Sequence, residues 1–117
     1  MSRNKKIGQL GESIAKGFIQ NLGYEIVAIN WTIGHKEIDI IALDEGIYIF
    51  VEVKTRTTLS QGMPEESVSQ SKINHVTEAA RQFLYDKEYK DIRFDVISIH
   101  LKSENDYELL HIQDAFY

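Results

Sequence analysis

The 117-residue sequence predicts a single α/β domain, a mixed central sheet flanked by helices in the order α-β-β-β-α-β-β. Three observations carry that prediction. Two segments repeat apolar residues at helical spacing, runs rich in β-branched residues lie between and after them, and the length suits one hydrophobic core but not two.

The elements follow in order. Ile7, Leu10, Ile14, Ala15, Phe18, Ile19 and Leu22 recur at steps of three and four, placing an apolar stripe along a helix from about Arg3 to Leu22, with Gly23 as its stop. Gly8 and Gly11 inside that helix each cost about 1 kcal/mol against alanine, so close packing is expected there. From Tyr24 to Trp31 the period turns β-like, and Glu37 to Leu43 reads as a second strand. Asp44-Glu45-Gly46 is a short turn, after which Ile47 to Lys54 forms the next strand of an antiparallel hairpin. This run is apolar at nearly every position, which implies burial on both faces. Thr55 to Glu66, with Gly62 and Pro64, is expected to be a long loop. A second helix from about Ser67 to Lys87 would present Ile73, Val76, Ala80, Phe83 and Leu84 to the core, with Ser67 and Gln70 as a capping box. Ile92 to Leu101 and Tyr107 to Ile112 complete the sheet.

Composition narrows the function. The chain has no cysteine, so disulfides, thiolate metal sites and cysteine nucleophiles are excluded, and any metal must be held by oxygen or imidazole. The first eight residues are polar and basic, and no stretch approaches the roughly 18 apolar residues of a membrane span, so a cytoplasmic location is expected. A net charge of -5 argues against coating nucleic acid by charge alone. The acidity is uneven, however. Residues 1 to 60 hold seven Lys/Arg and seven Asp/Glu, and residues 61 to 117 hold six and eleven, so a polyanion should meet the face built by the first half.

The chemistry concentrates in the hairpin. Glu52 and Lys54 interrupt a strand of Ile, Tyr, Phe and Val, and alternation puts them on one face with Tyr48 and Phe50. Such charges are costly to bury, by several kcal/mol per ion, unless they are paired or bind metal. Asp39 breaks the preceding strand in the same way, and a turn at Asp44 to Gly46 would set it within a few rungs of Glu52. Two carboxylates about 4 Å apart repel by around 4 kcal/mol at an effective dielectric near 20, a repulsion that a divalent cation would remove. Carboxylates with a main-chain carbonyl and water make a hard oxygen set suited to Mg²⁺ or Mn²⁺. Lys54 would then stabilise charge on a reacting phosphate or orient the attacking water. An ordinary cross-strand ion pair also accounts for Glu52 and Lys54 taken alone, although Asp39 weighs against it.

Gly11-Glu12, Glu37-Ile38-Asp39-Ile40-Ile41-Ala42, Phe50-Val51-Glu52-Val53-Lys54-Thr55-Arg56, Arg93-Phe94-Asp95-Val96-Ile97 and the terminal Ala115-Phe116 together closely resemble the YraN family of uncharacterised bacterial proteins. The resemblance runs from about Ile7 to Phe116. That family looks like the PD-(D/E)xK nucleases, whose small members resemble archaeal Holliday-junction resolvases and type II restriction enzymes. The resemblance therefore implies a restriction-endonuclease-like fold and a metal-dependent DNA endonuclease acting on branched or recombining DNA. By position it implies Asp39 as the metal-bridging aspartate, Glu52 and the Val53 carbonyl as further ligands, Lys54 as the catalytic lysine, and Glu12 as the first-helix glutamate of the metal site. Ile38 stands where the name pattern has proline. A homodimer is expected by analogy with such small nucleases, and no small-molecule cofactor is expected. The alternative is a module of the same fold that binds nucleic acid or a partner without cutting.

Secondary candidates are weaker. Thr55 and Arg56, just beyond the strand, could hold a phosphate, as could Lys72 near the start of the second helix, where the helix dipole opposes a cation by about 0.3 to 1 kcal/mol. Glu37 shares a strand face with Asp39 and could pair with Lys36 or Arg56 or assist the metal. Arg93 and Asp95 read as structural, Trp31 as core or rim packing, and His35 and His75 as surface.

Overall fold

The computed structural model describes residues 3–57 and 69–116. The element order is the expected one: α1 (Arg3–Asn21), β1 (Glu25–Ile33), β2 (Lys36–Asp44), β3 (Ile47–Arg56), α2 (Gln70–Leu84), β4 (Asp91–Ser103) and β5 (Asp106–Ile112). The strands form one five-stranded sheet in sequence order, antiparallel throughout except for the β3–β4 pair, which α2 bridges as a parallel crossover. Among the described residues no helix is long and apolar enough to cross a membrane.

β3 is the central strand, and its doubly apolar sequence explains why. Tyr48 and Phe50 pack with Ile38, Ile41, Val76, Ala80 and Phe83 under α2, while Ile49 and Val51 pack with Ala15, Ile19, Ile40, Ile97 and Ile99 under α1. The helices thus cover opposite faces. On the α2 side, Phe83 sets its ring edge-on to Trp31, Tyr48 and Phe50 at centroid distances of 5.4, 5.4 and 6.1 Å, so Trp31 is core packing as expected.

The hairpin is set by a two-residue turn in which both Glu45 (φ 50°) and Gly46 (φ 84°) lie in the left-handed region, the conformation that matches the twist of flanking strands. Its ladder runs from Asp44↔Ile47 to Ile40↔Val51. Both helices run against β3 and begin at the end where that strand finishes. Gly8 and Glu12 of α1 lie beside Val53 to Thr57, whereas Tyr24, past the end of α1, accepts from Arg93 at 3.2 Å near the start of β4. Likewise Lys72 of α2 meets Glu52, and Phe83 meets Tyr48.

Arg93 and Asp95 are structural, as read from sequence. Asp95 is fully buried and accepts from Arg93 Nε (2.8 Å), Arg93 Nη2 (2.9 Å) and the Asp114 backbone N–H (3.1 Å), with His111 Nε2 at 2.7 Å. Burial pushes its carboxyl up, but the bonds from His111, Arg93 and Asp114 outweigh this and hold it below the ordinary aspartate value.

Three local expectations are corrected. Thr55 and Arg56 belong to β3 and not to a loop, because parallel pairing with β4 continues to Arg56↔His100; residues 58–66 of the expected loop lie outside the described residues. The α2 cap is Ser69, whose Oγ accepts from the Lys72 N–H at 3.1 Å, so Gln70 is the first helical residue and cannot close a box with Ser67, itself outside the described residues. Of the two glycines, only Gly11 is closely packed: a Cβ there would lie 1.7 Å from Thr55 Oγ1, while one at Gly8 would meet nothing within 4 Å.

Candidate functional site

The β2–β3 ladder ends at Ile40↔Val51, one pair short of bringing Asp39 opposite Glu52. Face alternation in β2 also breaks there. Ile38 and Ile41 both pack toward α2, whereas Ile40 and Ala42 pack toward α1. A break of this kind re-aims the side chain at its centre. The Asp39 carboxylate turns into the opening between the strands, where Oδ2 accepts the Val53 N–H at 2.9 Å in place of the missing ladder partner. In a strand the N–H and C=O of one residue point to the same side, so the Val53 carbonyl faces that opening too.

Glu52 follows on β3, 1% exposed. Its Oε2 lies 3.6 Å from Lys72 Nζ, an ion pair too long for a hydrogen bond, and its buried Oε1 has no hydrogen-bond partner. Burial, and then the nearby Asp39 charge, push the Glu52 carboxyl up to about 8, and a hydrogen bond shared with the Asp39 side chain adds to the rise, with Lys72 and Lys54 pulling the other way. Lys54, half-buried on the next outward rung, lines an open cleft of about 410 Å³ together with Glu12, Val53, Thr55 and Arg56.

α1 delivers Glu12 because Gly11 allows the helix to rest directly on Thr55. Burial raises the Glu12 carboxyl above the ordinary value, a hydrogen bond with the Asn30 side chain opposes this, and the Asp39 and Glu37 charges add to the rise. The last two causes place Glu12 within electrostatic reach of both acids. Glu37 therefore belongs to this acidic group.

The structure thus brings Glu12, Asp39, Glu52, Val53 and Lys54 to one end of the sheet. Lys72 joins them, on Glu52 itself and not on a separate surface. Thr55 is partly covered by α1, and Arg56 is 6% exposed at the end of β3, so neither is an open loop contact. Among the described residues no three acidic or histidine side chains converge on one point. An ion here would draw on Asp39 and Glu52, with the Val53 carbonyl and water. Asn30 was not foreseen. Its signal is an asparagine inside an apolar strand, and it adopts φ 50°, a conformation asparagine tolerates better than most residues.

These features define a mixed α/β domain with a buried glutamate, a half-buried aspartate beside it and a lysine at the finishing end of its central strand. The chain belongs to the uncharacterised protein family UPF0102, which matches residues 11–99. It is 43% identical over 117 residues to a UPF0102 protein of Clostridium perfringens, covering 97% of this chain and 95% of the relative. It is 36% identical over 118 residues to one of Flavobacterium psychrophilum, covering 100% and 98%. A UPF0102 protein of Dictyoglomus turgidum is 43% identical over 105 residues, 88% of this chain and 89% of the relative. The expectation of a family of uncharacterised bacterial proteins holds at that level.

Proposed function

We propose that the chain is a metal-dependent endonuclease domain of the PD-(D/E)xK type, hydrolysing phosphodiester bonds in DNA, with branched or recombining DNA as the substrate class. One observation carries the reading: a buried glutamate with an unpartnered oxygen, beside a second carboxylate, at the strand end where a lysine enters an open cleft.

The donor set fits a hard divalent cation. Mg²⁺ and Mn²⁺ accept one or two carboxylates with carbonyl and water oxygens, and such an ion would relieve the Asp39–Glu52 repulsion and satisfy Glu52 Oε1. Asp39 and Glu52 would hold it, with the Val53 carbonyl, and Glu12 would add the first-helix carboxylate to the site. An ion held there would supply Lewis acidity for phosphodiester hydrolysis and for activating water. Lys54 lines the cleft wall, where it would stabilise charge on a reacting phosphate. The positive poles of α1 and α2 open toward the same end of the sheet and favour an anionic substrate despite the net charge of -5.

The test is cleavage of labelled single-stranded, duplex, flapped and four-way-junction DNA with Mg²⁺ or Mn²⁺, comparing the wild type with Asp39→Ala and Lys54→Ala. Metal-dependent cutting that falls to background in both variants is expected. No cutting, in protein that calorimetry shows to bind neither metal, overturns the reading and leaves a non-catalytic binding or scaffolding module.

A further inference from the structure

Lys72 sits at an unfavourable address. It is the third residue of α2, behind the Ser69 cap, where a cation opposes the helix dipole, and no acidic side chain in that turn compensates it. Its ammonium instead reaches Glu52, 3.6 Å away, with the lysine side chain 35% exposed and the glutamate side chain 2% exposed. The pair is therefore fixed on one side and loose on the other. It is also incomplete, since Glu52 Oε1 stays buried without a partner. A buried ion pair serving stability alone is expected to satisfy both carboxylate oxygens.

We infer that Lys72 is a built-in counter-ion that competes with a divalent cation for Glu52 and gives up that carboxylate when a phosphodiester is offered to it instead. The inference rests on the metal reading of Asp39 and Glu52. An ammonium and a divalent ion on one carboxylate repel each other, so Lys72 weakens metal binding to the protein alone. A phosphodiester at the same place is attracted both by Lys72 and by the positive pole of α2. It draws the ammonium away from Glu52, and metal and substrate then bind with positive coupling. Lys72 is a positioning residue in this scheme, distinct from Lys54 on the cleft wall.

The experiment titrates chelator-treated wild type, Lys72→Met, Lys72→Gln, Lys72→Arg and Asp39→Asn with Mn²⁺, read by electron paramagnetic resonance, with and without dimethyl phosphate. Each variant is first shown to have a cooperative unfolding transition. Both neutral variants are expected to bind Mn²⁺ about tenfold or more tightly than the wild type, and Lys72→Arg is expected to stay near it. Dimethyl phosphate should tighten Mn²⁺ binding to the wild type and leave the neutral variants unchanged. Unchanged or weaker Mn²⁺ binding in Lys72→Met and Lys72→Gln overturns the inference. If Asp39→Asn loses Mn²⁺ while Lys72→Met and Lys72→Gln bind it no more tightly than the wild type, the metal centre stands and the counter-ion role falls; if no form of the protein binds Mn²⁺, both fall.

Discussion

Glu52→Gln should change how stability depends on pH, by an amount that follows from the burial of that side chain. In the folded chain the carboxyl is pushed from 4.5 up to about 8. Between those values the folded protein keeps a proton that the unfolded chain gives up. The favourable contribution is therefore complete below about pH 4.5 and is lost as the pH rises through about 8. One pKa unit corresponds to about 1.4 kcal/mol, so the wild type stands to lose up to about 5 kcal/mol across this window. Glutamine does not titrate. The stability of the variant minus that of the wild type should rise by about 1.4 kcal/mol per pH unit and level off above the upper value. Urea unfolding in chelator, from about pH 5 to about pH 9, measures this directly, and the difference cancels every other titrating group. A difference that is flat with pH would show that Glu52 ionises normally in the folded chain, and the account of its electrostatics would be wrong.

Other perturbations test the scaffold. Gly11→Ala brings a methyl group within 1.7 Å of Thr55 Oγ1 and should cost about 1 to 3 kcal/mol in urea unfolding, partly recovered by Thr55→Gly. Asp95→Ala strands the Arg93 guanidinium beside His111 and should cost about 3 to 5 kcal/mol by the same measurement. Because the Asp95 carboxyl lies below its ordinary value, its contribution is present above that value and fades as acid protonates it, so wild type and Asp95→Ala should converge at low pH. Ser69→Ala removes the acceptor for the Lys72 N–H and should cost about 0.5 to 2 kcal/mol, with amide exchange quickening first in the opening turn of α2.

Much of the architecture was legible because it rests on local rules. The doubly apolar run Ile47 to Val51 marks a central strand, and a short turn at Asp44 to Gly46 puts Asp39 within a few rungs of Glu52. The structure narrows that turn to Glu45 and Gly46 and fixes the register. What was not legible depends on contacts between distant segments. The ladder ending at Ile40↔Val51, the hydrogen bond from Val53 to Asp39 and the left-handed Asn30 arise where β2 leaves β3, and no local pattern signals the departure. The Gly11–Thr55 contact was half visible, since a glycine in a helix signals close approach but not to what, and Gly8 gave the same signal without a contact. The direction taken by Lys72 depends on where α2 begins, and the cap is Ser69, two residues past the start expected at Ser67. β3 and β4 run past their expected ends to Arg56 and Ser103, because the polar residues there resemble loops until β4 pairs with the first and β5 with the second.

The turn at Glu45 and Gly46 lies at the opposite end of the hairpin from the carboxylates, and its Gly46 carbonyl is tied down by the Lys90 N–H at 2.7 Å. Turns in such positions ordinarily lengthen and shorten freely among related chains. Here the turn acts as a ruler, since counting outward from it decides which side chain of β2 reaches the opening beside Val53. One inserted residue would swap faces along the strand and deliver Ile38 or Ile40 where Asp39 belongs. A connection that touches no functional group therefore has its length fixed by one.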